Sequence, residues 1–321
     1  MNVNKKIVVS IILVNYNGAE VVLDCLRSLL QYLHTVPYEI IVVDNASTDG
    51  SATLIAETFP TVNLLKQIEN QGFGAGNNVG STQANGEFLF FLNTDTLLSS
   101  DVLPPLVTLM KEHPEVGIIG PKLLNADGSL QVSIASEISI AGEYQTLKQL
   151  KQANNPQHRE TIEQRFAQLH TVDIVIGAAF FMRKSLFEVL DGFDETFFMY
   201  FEESDLCQRA RDRGWKILYT PEVSMIHLGG YSVSKISDRM RLEYRRSQLY
   251  YYRKHRPAWE QILLRFYLAI KFTIATLKSF NSSNLKLLYL VLDLYHYPIT
   301  LHPIQRTLAG ASSVDPGKLS R

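Results

Sequence analysis

Two carboxylates in this chain stand where an apolar run stops. Phe88-Leu89-Phe90-Phe91-Leu92 has the length and aromatic content of a buried strand, and it ends in Asn93-Thr94-Asp95-Thr96. Glu39-Ile40-Ile41-Val42-Val43 ends the same way, in Asp44-Asn45-Ala46-Ser47. A buried strand that delivers an acid to its carboxyl end is how open α/β sheets build ligand sites. Two such ends in one domain suggest a nucleotide and a metal ion held along one edge of a sheet. Asp44 could accept the imino N–H of a uracil or thymine ring, although Asp-Asn-Ala-Ser-Thr-Asp-Gly is equally good turn and helix-cap chemistry. Asp95 would be a hard oxygen ligand for Mg²⁺ or Mn²⁺ bridging phosphate oxygens. One carboxylate holds a metal poorly and Asn93 is a weaker oxygen partner, so a further ligand is expected from elsewhere. Of eight histidines, His227 is the candidate, because it ends the strand-like Val223-Ser224-Met225-Ile226 and precedes Leu228-Gly229-Gly230. A histidine in that position is more often structural than metal-binding.

Two further clusters carry chemistry. Asn70-Gln71-Gly72-Phe73-Gly74-Ala75-Gly76-Asn77 is a glycine-rich stretch whose backbone can approach a ligand and bend into a helix. A dinucleotide fingerprint would follow the first strand with another glycine spacing, so an oxidoreductase is disfavoured. Downstream, Glu202, Glu203 and Asp205 open a helix behind the aromatic run Phe197-Phe198-Met199-Tyr200-Phe201. Acids in a first helical turn favour the helix dipole. Adjacent carboxyls against an aromatic wall also raise one another's pKa, as a general base requires.

These positions need a scaffold, and the first half of the chain reads as one. Val8–Val14, Glu39–Val43, Asn63–Gln67 and Glu87–Leu92 read as strands. Between them lie helices over Ala19–Leu33, Ser51–Phe59 and Gly76–Asn85. This alternation predicts an α/β fold with a Rossmann-like, mostly parallel sheet covered by helices on both faces. A helix over Leu103–His113, a strand from Val116 to Gly120 and a tight turn at Asn125–Ser129 follow. Ser136–His170 is polar, rich in Gln and weakly helical, and reads as an insertion or mobile loop. Val172–Met182 reads as a strand interrupted by Gly177, with a helix over Ser185–Leu190 and a strand over Trp215–Tyr219 beyond it.

The chain has 321 residues, enough for one large α/β domain and an appendage, and its net charge of −1 conceals a strongly basic stretch from Lys235 to Lys286. Arg239–His255 interleaves Arg and Lys with Leu and Tyr and reads as a long basic helix that either packs on the catalytic domain or approaches anionic lipid. No groove-reading motif accompanies it, so nucleic acid is not expected as a partner. Cys25 and Cys207 form no metal- or redox-type pair and fit a reducing compartment. The N-terminal run reads as a core strand rather than a signal peptide, and charges interrupt the apolar stretches Ile262–Leu277 and Leu287–Leu301 before spanning length. A cytoplasmic protein, with the inner face of the membrane as its place of contact, is expected.

Taken in order, these motifs resemble the inverting glycosyltransferases of family 2, with the GT-A fold, over about Ile7 to Gly230. Gly192–Arg209 and Tyr244-Arg245-Arg246-Ser247-Gln248-Leu249-Tyr250-Tyr251 are most similar to bacterial rhamnosyltransferase-type enzymes. The resemblance implies a GT-A catalytic domain over residues 1–230 and a basic amphipathic helical region over 231–321. It implies transfer of a sugar, rhamnose among the candidates, from a dTDP- or UDP-sugar to a hydroxyl of a cell-envelope or polysaccharide glycan, lipid-linked acceptors included. Asp44, Asn45, Asn70, Gly72, Asn77 and Asn93 would then line the nucleotide-sugar site, and Asp95 with His227 would hold the divalent cation. The base would be Glu203 or its neighbour Glu202. Two departures stand out: Asn93 occupies the place of a second acid, and Glu203 is one methylene longer than the family's usual Asp. A non-catalytic glycan-binding or membrane scaffold protein of the same fold is the alternative.

Overall fold

A computed structural model describes residues 6–153, 163–229, 238–279 and 282–293. Its first half alternates as the hydrophobic periodicity requires. The elements are β1 (Val9–Asn15), α1 (Ala19–Tyr32), β2 (Tyr38–Asp44), α2 (Ser51–Thr58), β3 (Asn63–Lys66), α3 (Phe73–Thr82) and β4 (Phe88–Leu92). In α1 the apolar positions Val22, Cys25, Leu26 and Leu29 fall on one face and are buried. Two-residue β5 (Thr96–Leu97), α4 (Leu103–Glu112), β6 (Val116–Leu124), β7 (Leu130–Gln131), β8 (Ile134–Ala135) and α5 (Ile140–Ala153) follow. Next come β9 (His170–Thr171), β10 (Ile174–Val175), β11 (Ala179–Arg183), α6 (Lys184–Val189), α7 (Glu202–Asp212) and β12 (Lys216–His227). The C-terminal helices are α8 (Asp238–His255), α9 (Ala258–Ser279) and α10 (Ser282–Val291).

The main sheet runs β3-β2-β1-β4-β11-β6-β12-β5. Strands β1 to β4 pair in parallel, as do β6 and β12. β11 lies antiparallel between β4 and β6 and joins the two parallel groups. Strand alternation sends Phe88, Phe90 and Leu92 into the apolar core on one face of the sheet, and Leu89 and Phe91 into the core on the other. A third apolar cluster, including Phe197, Phe201, Leu249, Tyr251, Leu268 and Leu287, ties the C-terminal helices to the aromatic loop before α7.

Four sequence expectations change. The Val172–Met182 run splits at Gly177: β10 pairs with β8 in a separate ribbon, and β11 alone enters the main sheet. The Trp215–Tyr219 strand extends to His227, with a register shift between Thr220 and Ser224 that absorbs Pro221. Helix α3 begins at Phe73, inside the glycine-rich stretch, because Gly76 and Gly80 let it sit directly on Val14 and Ile12 of β1. The polar Ser136–His170 region contains α5, whose Glu143 accepts hydrogen bonds from Gln248 and from the Tyr252 hydroxyl of α8. Its weak pattern reflects a helix anchored through polar side chains rather than an apolar stripe. The expected boundary at Gly230, and residues 294–301 of the last apolar stretch, lie outside the described residues.

Phe181 stacks on Phe88 at 5.3 Å and meets Phe90 edge-on at 5.7 Å, so it fastens β11 to β4. Phe181→Ala is expected to lower unfolding free energy by about 3–5 kcal/mol in urea titrations. A loss of well under 1 kcal/mol would mean that this contact does not join the two halves of the sheet.

Candidate active site

Parallel register brings the carboxyl ends of β1, β2 and β4 side by side. Asn15 pairs with Asp44, and Ile12 pairs with Phe91 three residues earlier. Asn15 is a site residue that sequence reasoning passed over, although it too is a polar residue ending an apolar strand. Its Nδ2 donates to Asp44 Oδ1 at 2.9 Å and to Ser51 Oγ at 2.8 Å, and its Oδ1 is buried without a partner among the described residues. Asp44 Oδ2 accepts the Ser47 N–H at 3.1 Å. It does not cap α2, whose N-cap is Gly50. The buried Asp44 carboxylate is thus oriented by neighbours on both oxygens.

Asn45 and Asn70 are occupied with each other. Asn45 Nδ2 donates to Asn70 Oδ1 and to the Gly72 carbonyl, both at 3.0 Å, and Asn70 Oδ1 also accepts the Gly72 N–H at 3.0 Å. Together they staple the end of β2 to the glycine-rich loop. Gly72 has φ +100°, and a Cβ there would lie 2.2 Å from the Phe198 carbonyl oxygen, so the position admits glycine because the aromatic loop crosses it. Asn77 is buried in α3, its Nδ2 bonded to the Phe73 carbonyl at 3.1 Å and its Oδ1 without a partner among the described residues. An unpartnered buried carbonyl oxygen is costly unless a ligand or water meets it.

The fold brings Asp95 and His227 side by side. β12 pairs with β5 so that His227 opposes Thr96, and the Leu228 N–H donates to the Asp95 carbonyl at 2.9 Å. This sets His227 Nε2 3.2 Å from Asp95 Oδ1 and 3.5 Å from Asn93 Nδ2. On the other side of the ring, Nδ1 lies 2.7 Å from Gln131 Oε1. Gln131 Nε2 is committed as a donor to Asn125 Oδ1 and the His227 carbonyl, so its Oε1 must accept from Nδ1–H. That arrangement turns the Nε2 lone pair toward the Asp95 carboxylate, and two facing lone pairs need a proton or a cation between them. An imidazole whose far nitrogen is held by an amide oxygen, next to a carboxylate, fits a divalent-cation donor set. Among the described residues no third histidine, cysteine or carboxylate joins them. Gln131 went unnoticed in the sequence because β7 is only two residues long.

The carboxyl pair opens α7. Phe201, the N-cap, has φ +70°, a left-handed turn that swings the two glutamates toward the sheet edge. Glu203 packs on Gly177, where an added Cβ would lie 3.6 Å from the Glu203 Cβ and Cγ. The adjoining Ala178 carbonyl accepts the Asn93 N–H at 3.0 Å, which puts Glu203 next to the end of β4. Glu202 is buried against Gly74, and its Oε2 has no partner among the described residues. Burial raises both carboxyls above the ordinary glutamate range. The charge of Glu203 pushes Glu202 well above it, whereas backbone hydrogen bonds around Glu203, Ser204 and Gly177 offset part of the rise at Glu203.

An open α/β sheet whose polar strand ends, glycine-rich loop, carboxylate–histidine pair and carboxyl pair collect along one edge is a GT-A architecture. The sequence profile of Glycosyl transferase family 2 matches residues 10–190, and the chain belongs to that family. It is similar to the N-acetylglucosaminyl-diphospho-decaprenol L-rhamnosyltransferase of Mycobacterium tuberculosis, with 26% identity over 212 residues covering 62% of this chain and 69% of that relative. It is also similar to the low-salt glycan biosynthesis hexosyltransferase Agl10 of Haloferax volcanii, with 27% identity over 223 residues covering 68% of this chain and 66% of the relative. Among solved structures, GalNAc-T7 crystallised with UDP, GalNAc and Mn²⁺ superposes with a TM-score of 0.54 at 15% identity, over 76% of this chain and 48% of that one, a likeness of fold.

A buried ionic knot holds α7 and α8 together behind the site. Asp205 is fully buried and accepts from Arg209 Nε at 2.7 Å, Lys254 Nζ at 2.6 Å and His255 Nε2 at 2.7 Å. Lys254 also reaches Asp194 at 2.6 Å, and Tyr250 donates to the same Asp194 oxygen at 2.9 Å. Although burial opposes it, these partners bring the Asp205 carboxyl down to about 2. With an unfolded value near ~3.9, its contribution is fully present above that pH and is lost as the pH falls toward about 2. Asp205→Asn is expected to cost about 3–5 kcal/mol near neutral pH, because it strands the part-buried cations of Arg209 and Lys254, and to flatten the acid limb of the stability–pH curve. Chemical unfolding between neutral and strongly acidic pH measures both. A variant with an unchanged acid limb would remove Asp205 from that limb.

Proposed function

We propose that this family 2 glycosyltransferase transfers a sugar, rhamnose among the candidates, from a dTDP- or UDP-sugar to a hydroxyl of a cell-envelope or polysaccharide glycan, with inversion. The observation that carries the reading is a pair of adjacent carboxyls, both raised by burial, beside the end of β4. Glu203 packs on Gly177 beside the end of β4, whereas Glu202 is buried against Gly74, and this placement supports Glu203 as the base. Its position next to Gly177 and Asn93 puts it at the strand ends that would face a bound donor.

In this mechanism Glu203 takes the proton of an acceptor hydroxyl as that oxygen attacks the anomeric carbon. The bond from that carbon to the diphosphate oxygen breaks on the opposite face, and the nucleoside diphosphate leaves with the bonding pair. One displacement inverts the configuration and needs no covalent enzyme intermediate. Asp44, oriented by Asn15 and Ser47, would receive the base, and the unpartnered Asn15 and Asn77 oxygens would accept hydrogen bonds from the nucleotide or its water. Asn45, Asn70 and Gly72 act by shaping the loop, and Asn93 steadies His227. Asp95 and His227 would hold Mg²⁺ or Mn²⁺, whose charge offsets the negative charge that builds on the departing diphosphate. The Mycobacterium relative's name supports rhamnose and a lipid-diphosphate acceptor as first candidates.

Glu203→Gln is expected to lower kcat by about 10²–10⁴-fold while donor affinity holds, whereas Glu202→Gln, which mimics the protonated acid, keeps most of the turnover. Equal losses in the two variants would overturn the assignment. The acid limb of kcat should also lie above the ordinary glutamate range, since the working base is raised. Calorimetric titration of UDP with and without Mn²⁺ tests the cation: Asp95→Ala and His227→Ala should each abolish the metal-dependent gain in affinity. Full transfer by chelated Asp95→Ala enzyme would eliminate the metal from the mechanism.

A further inference from the structure

Helix α9 has two apolar faces, and the described residues cover one of them. Leu264, Leu268 and Phe272 are buried at four-residue spacing against α8 and α10. On the opposite side Trp259, Ile262, Phe266 and Leu277 are between 61% and 68% exposed, and Leu263, Tyr267, Ile270 and Ile274 continue the band. At 22 residues the helix is ~33 Å long, and this open stripe runs its whole length. Monomeric proteins seldom leave so large a contiguous apolar patch uncovered. No helix among the described residues is long and apolar enough to cross a membrane.

Positive charge borders the stripe. Lys271 of α9 is held below the ordinary lysine range by burial and by Arg245 and Arg241 of α8, which face it. Such a cation cluster is costly without an anion beside it. Asp238 stands 3.7 Å from Arg241 at the exposed start of α8, and Lys278 and Lys286 add further exposed cations. Three other cations of this region are engaged in ion pairs: Lys254 with Asp194 and Asp205, Arg256 with Glu137 and Glu260, and Arg265 with Asp293. The cluster also adjoins the site. The Arg245 guanidinium lies 5.0 Å from the Tyr244 ring, which sits 5.2 Å from Phe201 and within electrostatic reach of Glu203.

We propose that the exposed face of α9, with Arg241, Arg245 and Lys271 beside it, seats this protein on an anionic lipid bilayer with the Glu203 side of the site turned toward the membrane surface. An apolar stripe bordered by cations is the pattern of an interfacial helix lying in the headgroup plane. A second copy fits less well, since a twofold contact along α9 would bring two identical cation clusters together. The inference deepens the proposed transferase reading by placing the acceptor at a lipid surface. Vesicle binding is measured without turnover, so either idea can fail alone.

The test is sedimentation of the full chain with vesicles of phosphatidylglycerol and phosphatidylcholine, and with phosphatidylcholine alone. The protein should follow the anionic vesicles and be released by raised salt. Phe266→Ser/Ile270→Ser and Lys271→Glu/Lys278→Glu should each lower partitioning at least about tenfold while hydrolysis of the donor in solution is unchanged. In a Trp215→Phe background, a blue shift of Trp259 emission on anionic vesicles reports burial of the stripe without relying on either double variant folding normally. Absence of binding to anionic vesicles, or equal partitioning of wild type and variants, would overturn the proposal. So would equal binding to neutral vesicles, or a dimer in ultracentrifugation that Phe266→Ser/Ile270→Ser dissociates.

Discussion

The N–H of Asn93 donates to the carbonyl of Ala178, and at that bond the two halves of the sheet meet. β11 pairs antiparallel with β4, so the chain entering β11 arrives at the very edge where β1, β2 and β4 end. Had β11 run parallel, Gly177 would lie at the opposite edge, and with it the contact that receives Glu203. The antiparallel insertion therefore brings the Asp95 side and the Glu203 side of the site together, although 108 residues separate them in the chain. Phe181 against Phe88 and Phe90 holds that junction in place.

Charge is distributed across the site in opposite senses. At the Asp95 end, a carboxylate and an imidazole lone pair face each other and call for positive charge. At the α7 end, burial raises both carboxyls above their ordinary values, and the charge of Glu203 adds to the rise at Glu202. The third acid of that helix, Asp205, lies on the far side of α7 against Arg209, Lys254 and His255 and is driven the other way. Acids within one helical turn thus have opposite electrostatic fates, set by which way each side chain leaves the first turn. A buried ionic cluster such as the one at Asp205 adds little net stability compared with apolar packing, but it is demanding about geometry. Here that demand fixes α8 behind α7 and places Tyr244 beside the carboxyl pair.

Much of this was legible in the chain. The strands ending at Asp44 and Asp95, the α/β alternation and the long basic helix follow from apolar runs, helical spacing and polar tips, all local signals. Asn15 carried the same signal and was passed over because an amide ending a strand attracts less notice than an acid. Gln131 and Gly177 carried none: one sits on a two-residue strand, and the other looks like an interruption in a longer one. Helix α5 was hidden because its anchors, such as Glu143 to Tyr252, are polar and distant in sequence.

By itself, then, the sequence determined the parallel half of the sheet, the acids at its edge and the family to which the motifs belong, because strand period and strand ends are written in adjacent residues. Only the tertiary structure decided that β11 turns back between β4 and β6, that Gln131 sets the His227 tautomer, and that burial raises Glu202 and Glu203. Each of these depends on burial and on partners tens of residues away. The charge state of a buried group is a property of its surroundings, and a residue's surroundings exist only once the chain has folded.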